Sequence, residues 1–319
     1  MILVIGEALI DLIGKADSNG AYQAVVGGAN ANVALALARR GEPQKFLGRI
    51  SNDGFGQIIR HRLVSNGVDL SLSIEAQEQT SLAVATIGSG GSANYSFYLN
   101  GTADWAWTNE ELPTGAEVNA LGAKCIQYGC LTMAVAPGSQ VVSAWLEGLS
   151  GLTRSHDLNI RSALGFERES ELERVLAINN YSDIIKASDA DIWWLFDLAD
   201  GSDIDEIAHS WSEGGRLVVI TRGGDGASLY RNGKRIDVTA PKISLIDTVG
   251  AGDTFMANLL GELLIRDALG DSSRERLAAL DESELIAAAH FAAVAAGLVC
   301  ERQGCEPPTK AEVQALIGQ

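Results

Sequence analysis

The hydrophobic residues of this chain occur in short runs separated by longer amphipathic stretches. Apolar runs typical of buried strands lie at residues 2–5, 45–47, 125–128, 158–160, 184–186 and 217–221. Runs of this kind that alternate with helical patterns are typical of a largely parallel sheet covered by helices on both faces. The pattern therefore predicts an α/β fold.

Several helices have recognisable ends in the sequence. Residues 30–40 carry Val33, Leu37 and alanines on one face and stop at Gly41, a residue that favours helix termination. Thr309 and the glutamate three residues later form the pattern of a capping box for the last helix. Residues 281–300 are rich in small apolar side chains, so we expect a long, closely packed helix there.

One region departs from the alternating pattern. Residues 82–87 and 94–99 flank a glycine- and serine-rich turn at 88–92, which predicts a β-hairpin. Together with the extended stretch at 13–26, this hairpin could form a small sheet that projects from the main domain. The pattern alone favours an ordinary edge hairpin over a lid that covers a cleft.

Composition and charge narrow the function classes. The chain has 319 residues, of which 46% are hydrophobic, and no Pro/Ser-rich linker or internal repeat. A substantial core is therefore expected, in one large domain or two smaller ones. The formal charge of −17 repels phosphate backbones, so nucleic acid is not an expected partner. ATP can still bind, because backbone N–H groups, a metal ion and a few lysines act locally against that field.

The ends of the chain and its cysteines point to a cytoplasmic protein. The N-terminus has no basic segment before its short apolar run, which is unlike a signal peptide, and no apolar run is long enough for us to expect membrane insertion. The four cysteines lack the spacing of a zinc site, and we expect them to be reduced thiols.

The strongest chemical signal is at residues 247–255, with the sequence DTVGAGDTF, followed by a helical pattern. Two glycines at a helix entrance allow backbone N–H groups to converge on one point, which creates a site for an anion. An aspartate there can accept a proton from a hydroxyl while the N–H groups stabilise a transferring phosphoryl group. On these residues alone, a plain helix cap after a glycine turn is the commoner alternative. The sequence contains no P-loop motif.

The same nine residues resemble the C-terminal signature of the ribokinase/PfkB family of sugar kinases. Residues 27–34, with the sequence GGANANVA, resemble the N-terminal signature of that family, and residues 48–56 and 302–308 extend the similarity over essentially the whole chain. The resemblance implies a three-layer αβα fold with a mostly parallel central sheet. It further implies a single domain over residues 1–319 and a small β-sheet lid, with lid segments near 12–26 and 81–107.

The resemblance also implies roles for individual residues. The catalytic base would be Asp253, and the anion hole would be formed by Gly250, Ala251 and Gly252. Matching positions for sugar binding are Asp11, Gly27, Gly28, Asn32, Asn159 and Arg161. We expect residues 157–161 to alternate on one face of a strand and to point towards the reaction centre. Without the resemblance, a turn acid and a helix-cap asparagine would be the simpler readings of Asp11 and Asn32.

The nucleotide side is implied in the same way. The matching positions are Lys186, Thr221, Gly223 and Gly226. Asp191 takes the place of the family's usual glutamate near Mg²⁺, and Ser188 that of an asparagine. Asp247 matches an acid beside which many relatives bind a monovalent cation such as K⁺, with carbonyls near Val249 and Gly304.

The acceptor is predicted from a smaller set of residues. Residues 97–105 and 157–161 most resemble the fructokinase branch, so fructose is the first expectation and fructose 6-phosphate the product. Departures from that branch are Leu164-Gly165 and the absence of a basic residue at 97–101. Ribose, 2-keto-3-deoxygluconate and a nucleoside stay open as acceptors, as does a non-catalytic sensor of sugar and nucleotide. We expect Trp105 and Trp107 to line the cleft, and an exposed edge of the lid could pair with a second copy to form a homodimer.

Overall fold

A computed structural model describes residues 1–15, 19–87 and 93–318 of the protein. Its strands are β1 (Ile2–Ile5), β2 (Leu9–Lys15), β3 (Tyr22–Gly27), β4 (Gln44–Leu47), β5 (Arg49–Ser51), β6 (Ile74–Ala76), β7 (Leu82–Ile87), β8 (Ala93–Tyr98), β9 (Cys125–Gly129), β10 (Thr153–Asp157), β11 (Ile184–Ser188), β12 (Leu217–Thr221), β13 (Ala227–Arg231) and β14 (Lys234–Val238). Its α-helices are α1 (Ala29–Arg39), α2 (Gly54–Ser65), α3 (Gly115–Ala120), α4 (Gly138–Gly148), α5 (Arg168–Tyr181), α6 (Asp189–Leu195), α7 (Asp205–Ser212), α8 (Ala251–Ile265), α9 (Ser273–Ala279), α10 (Glu282–Cys300) and α11 (Lys310–Ile317).

The central element is an eight-stranded sheet with the order β14-β13-β12-β11-β10-β9-β1-β4. The six strands from β12 to β4 are parallel, and β13 and β14 continue the sheet in antiparallel orientation. Apolar side chains of the strands pack against helices in separate core clusters: Val4 and Val219 belong to the cluster that contains α1, α8 and α10, whereas Ile5 and Ile126 belong to the one that contains α4. The predicted α/β fold with a mostly parallel sheet is confirmed.

A second sheet has the order β3-β2-β7-β8. Strands β7 and β8 pair in antiparallel orientation, which confirms the predicted hairpin, and the predicted turn at 88–92 lies outside the described residues. Strands β2 and β3 complete the sheet, β2 running parallel to β7. We call β3, β2, β7 and β8 the small sheet.

One predicted strand is wrong. Residues 158–160 lie outside the central sheet, and the strand is the preceding segment β10, whose residues are Thr-Arg-Ser-His-Asp. Ser155 and His156 are fully buried although both are polar. Hydrophobicity therefore placed the strand too late in the sequence.

Helix α10 is the long helix expected from its small residues, with Asp281 as its N-cap. Within the described residues, it is the one helix long and apolar enough to cross a membrane, and 61% of its apolar window is buried inside the protein. It packs closely against α8 and thereby contributes to the core. The four cysteines are free thiols and buried.

Candidate active site

The candidate residues gather at the carboxyl ends of the parallel strands. Glu7 follows β1, Asp157 ends β10, and Thr221 ends β12, while Lys186 lies in the middle of β11 and pairs with Asp157. From β1 the sheet order runs to β4 on one side and to β9 on the other, so the chain reverses its direction of winding at β1. In open α/β sheets, ligands bind in the crevice at such a point.

The start of α8 forms the floor of this crevice. Gly250 is the N-cap and has a left-handed backbone with φ 77°, which a glycine adopts without strain. Asp253 lies in the first turn and is only 7% exposed. The N–H of Ala251, which was predicted to belong to the anion hole, instead donates to the Thr248 carbonyl at 3.2 Å. Within the described residues, no protein acceptor is assigned to the N–H groups of Gly250, Gly252 and Asp253, and these groups are free to receive an anion.

The carboxylate of Asp253 accepts hydrogen bonds from two amides that come from distant parts of the chain. Asn32 of α1 donates to Oδ2 at 2.8 Å, and Asn159 donates to Oδ1 at 3.5 Å. Burial raises the pKa of Asp253 to about 7, the Asn32 hydrogen bond opposes that rise and the charge of Asp157 adds to it. A carboxyl group with a pKa near neutrality can accept a proton efficiently at physiological pH.

Lys186 supplies a buried cation next to the helix entrance. Its Nζ contacts both oxygens of Asp157 at 2.9 Å, and both side chains are almost completely buried. Burial by itself would lower the pKa of Lys186, but the charge of Asp157 raises it, so the ammonium group persists. A β-carbon added at Gly252 would lie 3.3 Å from Nζ, which places the ammonium directly beside the α8 entrance.

Arg161 and Asp11 bring a second pair of opposite charges to the crevice. Burial raises the pKa of Asp11 to about 6, and the charge of Arg161 opposes that rise. Arg161, whose side chain is exposed, also opposes the rise in the pKa of Asp253. A β-carbon at Gly27 would lie 2.2 Å from Asp11 Oδ2, so only glycine leaves room for this carboxylate. Of the residues predicted to bind sugar, Asn32 and Asn159 contact Asp253, and Arg161 connects Asp253 with Asp11 through its charge.

The interpretation of residues 157–161 as one strand face is wrong in its geometry. Asp157 ends β10, and Asn159 has a positive φ of 43°, so the chain turns at this point. The turn is held by Asp191, whose Oδ1 accepts the Ile160 N–H at 2.9 Å. It still directs Asn159 towards Asp253.

Asp191 has a capping role in this structure. Its Oδ2 accepts the Ser188 N–H at 2.8 Å, so that both carboxylate oxygens bind backbone groups. Among the described residues, no group of three or more His, Cys, Asp or Glu side chains is arranged as a metal site. A role for Asp191 near Mg²⁺ therefore stays a prediction. In that role, the remaining lone pairs of its carboxylate would accept hydrogen bonds from water bound to the ion.

Asp247 joins the two segments that the resemblance associates with a monovalent cation. Its carboxylate accepts the Val249 N–H at 3.0 Å and the Gly304 N–H at 2.8 Å. These bonds hold the loop before α8 against the segment after α10. Whether a cation binds there stays a prediction.

The predicted nucleotide loop follows β12. Thr221 pairs with Ser188 across the two neighbouring strands, and its hydroxyl donates to the Ala187 carbonyl at 3.4 Å. Gly223 and Gly226 both have positive φ angles, and a β-carbon at Gly223 would point into open space. The loop therefore lies one strand away from Lys186, and Gly223 is exposed whereas Gly226 is buried against the Val238 carbonyl.

Two predicted cleft residues are buried instead. Trp105 and Trp107 are 2% and 3% exposed and pack among apolar side chains, so their rings belong to the core and not to a cleft wall. Conversely, sequence reasoning assigned no role to Glu7, did not pair Asp157 with Lys186, and used Asp104 only as part of the segment that resembles the fructokinase branch. Glu7 and Asp157 each lie at or just after the end of a parallel strand, which was the available signal.

Comparison with known proteins agrees with this geometry. Residues 1–312 match the family described as pfkB family carbohydrate kinase. The chain belongs to this family. Among pfkB relatives, a protein named fructokinase from Rhizobium leguminosarum bv. trifolii is 34% identical over 291 residues, covering 89% of this chain and 85% of its own. Fructokinase-1 of Oryza sativa subsp. japonica is 30% identical, covering 99% of this chain and 96% of its own.

Solved structures of related kinases have the same fold. A fructokinase from Xylella fastidiosa with bound ATP has a TM-score of 0.88 and 25% identity, covering 99% of this chain and 98% of its own. An uncharacterized sugar kinase from Pyrococcus horikoshii in complex with ATP has a TM-score of 0.80 and 26% identity, covering 98% and 96% of the two chains. This pfkB protein therefore has the architecture of a sugar kinase along its whole length.

Proposed function

We propose that this protein transfers the γ-phosphoryl group of ATP to the primary hydroxyl of fructose, giving fructose 6-phosphate. The observation that carries the proposal is the position of Asp253, a buried carboxyl in the first turn of α8, next to unpaired N–H groups and to Lys186. Support for fructose comes from the relatives named fructokinase that align over almost the full chain.

In this proposal, individual residues have the following roles in phosphoryl transfer. Asp253 takes the proton of the attacking hydroxyl, and its pKa of about 7 suits that task. The N–H groups of Gly250, Gly252 and Asp253 donate to the phosphoryl oxygens as negative charge builds up on them. The Lys186 ammonium group adds fixed positive charge at the same place. ATP supplies the phosphoryl group, and Mg²⁺ neutralises part of its charge.

Sugar binding is assigned to the residues around Asp253. Asn32 and Asn159 offer amide groups, Asp11 and Arg161 offer charged groups, and Gly27 keeps the space open. Asp11 lies on β2 of the small sheet, which in this proposal acts as a lid on a single kinase domain. Exposed Tyr22 and Tyr98 on the small sheet favour a homodimer formed through it.

The nucleotide is assigned to the neighbouring side of the crevice, along Lys186, Thr221, Gly223 and Gly226. Asp191 is assigned to the waters of Mg²⁺ and Asp247 to a K⁺ site. Because the protein is acidic and its cysteines are expected to be reduced thiols, we propose that it acts in the cytoplasm on small metabolites.

The decisive experiment measures ADP formation with Mg²⁺ and K⁺ over a panel of fructose, ribose, glucose, 2-keto-3-deoxygluconate and adenosine. Fructose turnover by the wild type and a loss of about 10²–10⁴-fold in kcat for Asp253→Asn are expected, the contribution of a general base. Asp267→Asn, an exposed carboxyl remote from the crevice, is the matched control and should keep wild-type kcat. Turnover of another acceptor would overturn fructose as the substrate, and an unchanged kcat in Asp253→Asn would overturn the mechanism.

A further inference from the structure

Four short segments connect the small sheet with the rest of the protein. They are residues 6–8 between β1 and β2, Gly28 between β3 and α1, residues 77–81 between β6 and β7, and residues 99–102 after β8. We call these segments the four crossings. Since Asp11 lies on the small sheet and Asp253 on α8, the crossings set the distance between the two carboxyl groups.

A buried carboxyl, Asp104, connects three of the crossings. Its Oδ1 accepts the Ala8 N–H at 2.8 Å, and its Oδ2 is hydrogen-bonded to the Ser81 hydroxyl, immediately before β7. Ser81 Oγ in turn lies 2.6 Å from Thr102 Oγ1 in the last crossing. Asp104 is 2% exposed and Ser81 is fully buried, so water does not compete for these bonds.

The remaining crossing is held by the neighbouring acid, Glu7. Its Oε1 accepts the Ala29 N–H at 2.8 Å, and its Oε2 accepts from Asn30 Nδ2 at 3.1 Å. Helix α1, which begins at this point, carries Asn32 to Asp253. The crossings are therefore linked to the catalytic carboxyl through α1.

The hydroxyl protons of this network can be counted. Ser81 donates its proton to Oδ2 of Asp104 when that carboxyl group is charged, and Thr102 donates its proton to the Leu99 carbonyl at 2.8 Å. The 2.6 Å contact between the two hydroxyl groups then lacks a proton of its own, and protonation of Asp104 would free the Ser81 proton for it. Burial raises the pKa of Asp104 to about 7, and the nearby charge of Glu7 adds to the rise while Ser81 and Ala8 oppose it. A neutral acid at position 104 satisfies every donor and acceptor in the chain.

We propose that Asp104 is a positioning residue for the acceptor site, which holds the crossings so that the small sheet presents Asp11 at a fixed position over Asp253. Ala8, whose N–H donates to Asp104, immediately precedes β2 and lies three residues before Asp11. The role rests on the proposed kinase function, and it concerns binding of the acceptor and not of ATP. It also gives a structural role to the Thr102-Ala103-Asp104 segment, which the sequence analysis used only for its resemblance to the fructokinase branch.

The test compares Asp104→Ala with Asp104→Asn. Alanine removes every bond to the crossings, so the KM for the acceptor should rise roughly tenfold or more while the KM for ATP changes less than about twofold. Asparagine mimics the neutral acid, because its oxygen can accept from Ala8 and its NH₂ can donate to Ser81. Asp104→Asn should therefore restore an acceptor KM close to that of the wild type.

A matched control separates positioning from a general loss of stability. Tyr128→Phe removes the buried 2.8 Å bond between the hydroxyl groups of Tyr128 and Ser182, neither of which belongs to a crossing or bonds to one. It should lower Tm without raising the acceptor KM. An equal rise in acceptor KM in Tyr128→Phe, or an unchanged acceptor KM in Asp104→Ala, would overturn the proposal.

Hydrogen–deuterium exchange tests the same role without turnover. In the absence of substrates, the amides of Ala8 and Ile10 should exchange faster in Asp104→Ala than in the wild type, and equal rates would overturn the proposal. If the wild type phosphorylates no acceptor of the panel, the kinase proposal fails while exchange still decides the role of Asp104. If Asp104→Ala does not fold, Ser81→Ala breaks the link between Asp104 and β7, and the same KM and exchange changes are expected.

Discussion

Asn32 and Asp253, which lie 221 positions apart in the sequence, are joined by a 2.8 Å hydrogen bond. The bond fixes the N-terminal halves of α1 and α8 against each other, and both residues are almost completely buried. It holds the carboxyl in one orientation and favours its charged form. Asn32 therefore acts on the candidate base as well as on the proposed acceptor.

The pH dependence of activity should be sensitive to the hydrogen bond between Asn32 and Asp253. Because Asp253 must be deprotonated to act as a base, kcat/KM should rise with pH through about 7, the pKa of Asp253. Asn32→Ala removes a donor to the charged form, which raises that pKa, so the acid limb should move to higher pH. Asn159→Ala, which removes a bond of 3.5 Å, should move the limb less. Equal profiles for the wild type and Asn32→Ala would contradict the assignment of the limb to Asp253.

Removing only one partner of the buried ion pair between Lys186 and Asp157 should lower the free energy of unfolding. Lys186→Met leaves the carboxyl of Asp157 buried without its cation, and we expect a loss of roughly 3–5 kcal/mol in the free energy of unfolding. In Lys186→Met/Asp157→Asn the uncompensated charge is absent, so part of the loss should be recovered. Denaturant unfolding measures both values, and additive losses in the two single and the double variants would show that the pair is not coupled.

Gly250 should tolerate no side chain. Its φ is 77°, and a β-carbon would lie 2.3 Å from Cys305 Sγ. Gly250→Ala should therefore lower the free energy of unfolding by about 1–3 kcal/mol through backbone strain and overlap, and lower kcat by displacing the α8 entrance. Removing the sulfur in Gly250→Ala/Cys305→Ala relieves the closest overlap, but it leaves the 2.9 Å approach to the β-carbon of residue 305 and the φ strain. Thermal unfolding of the double variant should show partial recovery, and full recovery would contradict the strain.

His156 should make the protein sensitive to acid. Burial lowers the pKa of His156 to about 3, and the Asn179 hydrogen bond opposes that change. Below the unfolded value of about 6.5, the unfolded chain binds a proton that the folded protein does not, so this residue costs stability as pH falls, about 1.4 kcal/mol per pH unit. Asp11, Asp104 and Asp253, whose pKa values are raised, act with the opposite sign.

The contribution of His156 to stability can be isolated by comparing the wild type with a variant that does not titrate at this position. His156→Gln keeps a donor for Asn179 but cannot take up the proton. The free energy of unfolding of the wild type minus that of His156→Gln should fall between pH 6.5 and pH 4, since the carboxyl contributions cancel. A difference that does not change with pH would show that His156 titrates normally.

Local sequence was sufficient to predict five strands of the central sheet, the hairpin of the small sheet and the start of α8. The apolar runs predicted β1, β4, β9, β11 and β12, and the glycines of residues 247–255 predicted a helix entrance with Asp253 in its first turn. The turn residues predicted the hairpin of the small sheet. In these cases backbone propensity and hydrophobic pattern agree with the tertiary environment, so each segment carries its own signal.

Only the tertiary structure decided which side chains meet. β10 was misplaced because its polar residues are buried between neighbouring strands, and burial by neighbours leaves no mark on hydrophobic periodicity. Trp105 and Trp107 were assigned to the cleft by proximity in sequence, yet packing buries both. The pairs Asn32–Asp253 and Asp157–Lys186 depend on strand order and helix placement. The sequence by itself determined the fold class and the candidate base, whereas long-range packing decided the pKa of that base and the bonds that join the small sheet to the rest of the protein.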